Sequence, residues 1–248
     1  MDWKKLSTEK ITEVYCSIFL NQCYLCNTKC KNTVCQACHE GFPLNAIHCH
    51  RCKRPTHHTN ILCGSCQTAS PTYQQCIAPY RFEGIIKTLI HSIKFHQGTH
   101  YVRPLTYLLS KHLIKSYAAE SWPDQILYVP SHPSRIKERG FCQTNTMANQ
   151  LAKNLKQHLG KKCPIIPKNN PLKKVKNTQA QHSLSRKERL TNPQSSYEID
   201  APISGHVALF DDVMTTGSTI ENCTTLLLKA GAERVDVWVI ARTPDKTH

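Results

Sequence analysis

The chain has 248 residues, with 32 Lys and Arg against 17 Asp and Glu, a formal net charge of +15, and 14 cysteines. That length accommodates one sizeable domain and a small one. No apolar run approaches the ~20 residues that span a bilayer, and no secretory signal stands out, so a transmembrane or exported protein is not expected. The basic excess favours polyanionic partners: phosphorylated small molecules, nucleic acid or an anionic membrane surface. Ten of the fourteen cysteines lie between Cys23 and Cys76, so they serve a local module. In the reducing, cytoplasmic setting implied by the missing signal, clustered cysteines bind metal more often than they form disulfides.

Residues 1–22 read as a short amphipathic helix, with Ile11, Val14, Tyr15 and Ile18 on one face. Residues 23–70 change character. Four Cys-x-x-Cys pairs follow: Cys23/Cys26, Cys35/Cys38, Cys49/Cys52 and Cys63/Cys66. Each pair forms a knuckle that can present two thiolates to one ion, and two knuckles complete a tetrahedral all-sulfur site suited to zinc. Two structural zinc sites are therefore expected, with metal binding driving the folding of the segment. Sequential pairing needs shorter loop closures than an interleaved cross-brace, and is preferred on that ground alone. His48, His50, His57 and His58 lie nearby and are expected in solvent or facing nucleic acid. Residues 71–79, with Pro71 and Pro79 at their ends, read as a linker.

A main domain is expected over residues 80–248. Its first helix carries Ile85, Ile86, Leu89, Ile90 and Ile93. Pro104 suits the start of a second helix, with Leu105, Leu108, Leu109 and Leu113 on its apolar side. Ile126 to Val129 is a buried-strand candidate. It runs into a polar loop containing Arg135, Lys137, Arg139 and Gly140, and then into a helix with Met147, Leu151 and Leu155. Arginine can grip phosphate oxygens in pairs, and glycine lets backbone approach closely. Residues 161–189 are the most basic stretch and include Lys173, Lys174, Lys176, Arg186 and Lys187. Residues 177–183 read as a mobile loop. Ser185 and Glu188 fit a capping box for a short helix.

A second strand candidate, Val207-Ala208-Leu209-Phe210, ends in Asp211-Asp212. Thr215-Thr216-Gly217-Ser218-Thr219 and an amphipathic helix over residues 220–230 follow, and the last strand spans residues 235–241. Backbone N–H groups and hydroxyls at such a turn can ring a phosphate, and the helix N-terminus adds a favourable field. Two aspartates can accept hydrogen bonds from a ribose diol. Strands alternating with helices, two of them ending in polar loops, indicate an α/β fold with a parallel sheet flanked by helices.

Asp211-Asp212 with the turn at 215–219 resembles the phosphoribosyl-pyrophosphate signature of the type I phosphoribosyltransferases. Val129-Pro130, Arg135, Arg139-Gly140-Phe141 and Gln143, together with the cysteine pairs and the basic segment 181–189, resemble the ComF/GntX-type, competence-associated members. The family often has Asn where this chain has Cys142. The resemblance implies a type I phosphoribosyltransferase-like sheet behind an N-terminal double zinc ribbon. It also implies phosphoribosyl pyrophosphate bound with Mg²⁺: residues 215–219 on the 5′-phosphate, Asp211 and Asp212 on the ribose hydroxyls, and Arg135, Arg139 and Gly140 on the pyrophosphate. Lys187 would reach the leaving group, and residues 177–183 would close over it. Asp211, Asp212, Arg139 and Lys187 are the candidate catalytic residues. The function so implied is natural transformation: a cytoplasmic protein that handles single-stranded DNA, with a competence helicase or other DNA-uptake proteins as partners and peripheral contact at the inner membrane through them. Two alternatives stay open, an active phosphoribosyltransferase with an unidentified acceptor and a non-catalytic regulatory module on the same fold.

Overall fold

The computed structural model describes residues 22–58, 61–95, 98–118, 120–175 and 196–244. The expected N-terminal helix, Lys176, the loop over 177–183, the capping box at Ser185 and the cations Arg186 and Lys187 lie outside them. The chain divides into two compact units, residues 1–42 and 43–248.

In the first unit an isolated bridge pairs Gln22 with Lys29. A single-turn helix, α1 (Gln36–Glu40), starts at Cys35, whose sulfur accepts from the Cys38 amide. Among the described residues, Cys23, Val34 and Phe42 are buried apolar side chains of this unit.

The second unit opens with a bridge between His48 and Pro55 and a short helix, α2 (Gly64–Thr68). Strand β1 (Gln75–Ile77) follows, inside the stretch expected to be a linker. It pairs in parallel with the last strand of the chain, and Cys76, Ile77 and Ala78 are buried. β2 (Tyr80–Arg81) pairs further along that same strand. Next come α3 (Gly84–Phe95) and α4 (Val102–Ser116). Ile86, Leu89, Ile90 and Ile93 form the buried stripe of α3, at the spacing one helix face requires. Pro104 lies in the first turn of α4, where a missing N–H leaves no ladder bond unmade.

β3 (Gln125–Tyr128) leads to α5 (Pro133–Arg139) and α6 (Gln143–Leu159). The stretch expected to be a polar loop is therefore partly helical. His132 caps α5 by accepting from the Ser134 amide, Pro133 occupies the first turn, and Gly140 ends the helix at φ +79. β4 (Leu172–Lys174) and β5 (Tyr197–Ile199) form a separate antiparallel ribbon. β6 (His206–Met214), α7 (Ser218–Lys229) and β7 (Arg234–Arg242) complete the fold.

The central sheet has strand order β1-β7-β6-β3, with β2 also on β7, and every pairing in it is parallel. β7 is buried from Val235 to Arg242, the near-continuous apolar run of a strand covered on both faces. Leu127, Leu209, Val237 and Val239 share one core with Ile220, Cys223 and Leu227 of α7. Alternate strand residues face the other way, where α4 and α6 pack together and reach β7, β3 and β6.

The entry end of β6 and β7 is held by a buried ion cluster. Asp236, fully buried, accepts from Tyr117 Oη at 2.5 Å, His206 Nε2 at 2.8 Å and two Arg234 nitrogens at 3.0 Å. Trp238 Nε1 donates to the same Tyr117 oxygen at 3.1 Å. A buried carboxylate so fully satisfied fixes its strand register. Among the described residues no helix is long and apolar enough to cross a membrane.

Candidate functional site

The exit ends of β3 and β6 lie side by side, with Tyr128 opposite Phe210 and the Val129 amide donating to the Phe210 carbonyl at 2.9 Å. Ligands of open parallel sheets bind outside such strand ends. β6 runs longer than its four apolar residues suggest, through the acidic pair to Met214, because β7 offers it a partner that far: Asp211 opposite Val239, Val213 opposite Ala241, Met214 opposite Arg242. The aspartates are thus strand residues, and neighbouring strand side chains diverge.

Asp212 is 4% exposed. Its carboxylate takes Lys94 Nζ at 2.8 Å and Gln143 Nε2 at 2.7 Å. Gln143 in turn accepts from Arg139 Nη1 at 2.9 Å, and the Arg139 guanidinium lies 5.0 Å from the centre of the Phe95 ring. The last turn of α3, the end of α5, the first residue of α6 and the end of β6 therefore meet in one polar chain. Lys94 belongs to no motif and could not be singled out from its neighbours.

Asp211 has other company. Burial pushes its carboxyl well above the ordinary aspartate range, the Asp212 charge pushes it further, and Lys94 opposes both. It acts electrostatically on Lys174, Tyr197 and Cys223. Lys174 is half-buried over the Tyr197 ring, 5.1 Å from its centre. Burial lowers its ammonium pKa, and the Arg135 charge lowers it further, against the pull of Asp211. Within the most basic stretch of the chain, Lys174 therefore interacts with Asp211. Lys173 bonds the Asn170 carbonyl of its own turn at 2.7 Å.

The turn after β6 exposes Thr215, Thr216 and Ser218. Thr216 Oγ1 sits 2.9 Å from Ser218 Oγ and accepts from the Ser218 amide at 3.3 Å. Gly217 has φ +92, which ordinary side chains resist, and serves as N-cap of α7. The turn is anchored from below by Arg242, 1% exposed. Its Nη1 donates to the carbonyls of Met214, at 2.8 Å, and Thr215, and its Nε donates to the Cys52 carbonyl at 3.1 Å.

The eight cysteines gather in sequential order. Cys23, Cys26, Cys35 and Cys38 bring their sulfurs within 4.8 Å of one another, and so do Cys49, Cys52, Cys63 and Cys66. These two four-cysteine clusters could hold structural zinc. Burial opposes ionisation of Cys23 and Cys49, but backbone amide hydrogen bonds outweigh it and bring both thiols down to about 6. Burial, with crowding by neighbouring thiols, pushes Cys38 and Cys66 up. Four converging sulfurs cannot all ionise without a cation among them, and an all-thiolate donor set suits zinc. Cys30 stands apart and bonds the Asn32 carbonyl at 2.9 Å.

No protein-family model matches the chain. It is 28% identical over 227 residues to the DNA utilization protein YhgH of Salmonella typhi, covering 89% of this chain and 96% of that protein. The same-named protein of Escherichia coli K12 is 28% identical over 213 residues, 85% of this chain and 90% of its own length. Competence protein F of Haemophilus influenzae is 29% identical over 222 residues, 86% of this chain and 91% of its own. The chain is thus similar over nearly its whole length to the DNA utilization and competence F proteins, and its two clusters of four cysteines fit a double zinc ribbon.

Proposed function

We propose that the protein binds phosphoribosyl pyrophosphate with Mg²⁺ at the exit ends of β3 and β6 and handles single-stranded DNA in natural transformation. The carrying observation is the polar chain from Lys94 and Arg139 through Gln143 to Asp212, beside a hydroxyl-rich turn that opens α7. A phosphate, a diol and a diphosphate on one ligand match those three features. The turn at 215–219 takes the 5′-phosphate, Asp211 and Asp212 take the ribose hydroxyls, and Arg135, Arg139 and Gly140 face the diphosphate. Mg²⁺ would neutralise the diphosphate oxygens. Lys187 completes the diphosphate side in this reading. The names of the relatives, DNA utilization and competence, support a nucleic-acid role, as does the +15 charge. A cytoplasmic setting and DNA-uptake partners belong to the same reading.

The test is a coupled titration: oligonucleotide affinity measured with and without phosphoribosyl pyrophosphate and Mg²⁺. Linkage requires any change to appear reciprocally in the affinity for the small ligand. Wild-type protein should bind the ligand, and Asp212→Asn should bind it at least about tenfold more weakly, the loss of a charge-assisted hydrogen bond. Equal affinity in both proteins would overturn the assignment of the pocket. Pyrophosphate release on adding candidate acceptors would move the reading to an active transferase.

A further inference from the structure

Arg242 is a buried guanidinium whose partners are carbonyl oxygens, and among the described residues it makes no ion pair with a carboxylate. A buried cation without a counter-charge is costly, so its place needs a reason. One source of negative charge beside it is the second cysteine cluster, whose Cys52 and Cys66 line the same cavity as Arg242 and Glu221. A divalent ion in four thiolates leaves two formal negative charges on the site. Arg242 donates to the carbonyl of one of its ligands, Cys52, and its charge also acts on the buried Tyr73 and Cys76. The same side chain donates to Met214 and Thr215, the last residue of β6 and the first of the hydroxyl turn.

Cys52 and Cys66 share a buried core with Met214 and Ile220, and beside it a cavity of about 320 Å³ is lined by Cys52, Ser65 and Cys66 and by Thr216, Ser218 and Glu221. A further hydrogen bond nearby, the Thr72 amide to Glu221 at 3.1 Å, is exposed and so contributes little. The first cysteine cluster belongs to the unit of residues 1–42, whose sequence contains no arginine.

We infer that Arg242 is a positioning residue that couples metal occupancy of the Cys49/Cys52/Cys63/Cys66 cluster to the order of the turn at 215–218. A metal ion fixes the Cys52 carbonyl and gives the guanidinium its counter-charge. The guanidinium then pins the two turn carbonyls, and the turn amides keep the directions a bound anion needs. The two clusters are therefore unequal: one organises its own small unit, the other also organises the candidate ligand site. Only the anion-binding part of this statement rests on the phosphoribosyl reading.

Amide hydrogen exchange on the full-length protein tests it, with zinc content measured on each sample. Cys66→Ser should lose one zinc and raise exchange at 215–218 about tenfold or more, as expected for losing a charged hydrogen bond. Cys38→Ser should lose one zinc and leave those amides unchanged. Arg242→Met should raise exchange at the turn while two zinc ions remain bound, and Arg242→Lys, keeping the charge and one donor group, should restore part of the protection. Protection of the Val237 to Ile240 amides, deep in β7, checks in every variant that the sheet is folded. If Arg242→Met globally loosens the sheet, the comparison of Arg242→Lys with Cys66→Ser still decides. Equal responses to Cys66→Ser and Cys38→Ser, or a turn unmoved by both Arg242 substitutions, would overturn the coupling. Turn exchange that responds while affinity for phosphoribosyl pyrophosphate does not would leave the coupling standing and remove the ligand assignment instead.

Discussion

Removing the Lys94 ammonium should strand the Asp212 carboxylate, and the structure sets the size of the effect. The charges lie 2.8 Å apart, with side chains 24% and 6% exposed. At an effective dielectric of about 20, their gross attraction is about 6 kcal/mol. Truncating one partner of a fully buried pair costs about 3–5 kcal/mol. Lys94 retains some water and Gln143 remains bonded to the carboxylate, so Lys94→Met should cost about 2–3 kcal/mol. For a chain of this size that lowers Tm by about 4–12 °C. Neutralising the stranded group by Asp212→Asn should recover most of the loss, giving a coupling of about 1.5–3 kcal/mol in the double-mutant cycle. Urea denaturation of the four proteins in zinc-replete buffer measures it. A Lys94→Met cost below about 0.5 kcal/mol, the level of an exposed pair, would show that water screens the pair and that Asp212 is not held by α3.

Asp211 makes the opposite prediction for stability. Its folded-state carboxyl titrates above the ordinary range, so the favourable protonated state is fully present below the unfolded value, about 4, and is lost as pH rises through the folded value. Asp211→Asn should therefore raise Tm of the ligand-free protein at neutral pH, with the gain shrinking as pH falls toward about 4. A gain independent of pH in thermal melts would contradict this. The same raised pKa means that affinity for phosphoribosyl pyrophosphate should begin to fall, as pH is lowered, before an exposed aspartate would protonate; calorimetry across that range detects it. Gly217→Ala should cost about 1–2 kcal/mol through its positive φ, and a cost near zero would mean the turn readily adopts another conformation. Tyr117→Phe should destabilise the sheet by about 1–3 kcal/mol, because it leaves the Trp238 N–H and one Asp236 lone pair short of a partner. That variant should leave ligand affinity unchanged.

The parallel sheet was legible because its strands are short apolar runs set between helical periods, as in Ile126 to Val129 and Val235 to Ala241. The pairing of the cysteines was legible because short loops close most easily. Other features were hidden for physical reasons. β1 has three residues flanked by prolines, too few to show a period, and exists because β7 offers it an edge. The passage of β6 through Asp211 and Asp212 is imposed by that same strand, against the low strand preference of aspartate. α5 did leave a signal, Pro133 at its start and Gly140 at its end, but the cations Arg135, Lys137 and Arg139 between them read as a loop. Lys94 and Arg242 left none. Each reaches its partners across tertiary space, and nothing in the spacing of one lysine or one arginine forecasts that. Lys174 lies in the most basic stretch of the chain, and nothing in that stretch forecasts its interaction with Asp211.

The Asp236 cluster at the entry end of β6 and β7 has a consequence for how such a chain can diverge. Its hydrogen bonds are satisfied locally, by His206 and Arg234 on the two strands and by Tyr117 just past α4. The charges at the exit end draw on different partners: Lys94, Arg139, Gln143, Arg135 and Lys174. The two ends share no partner among these residues. A lineage can rewrite the exit end without unseating the sheet that carries it.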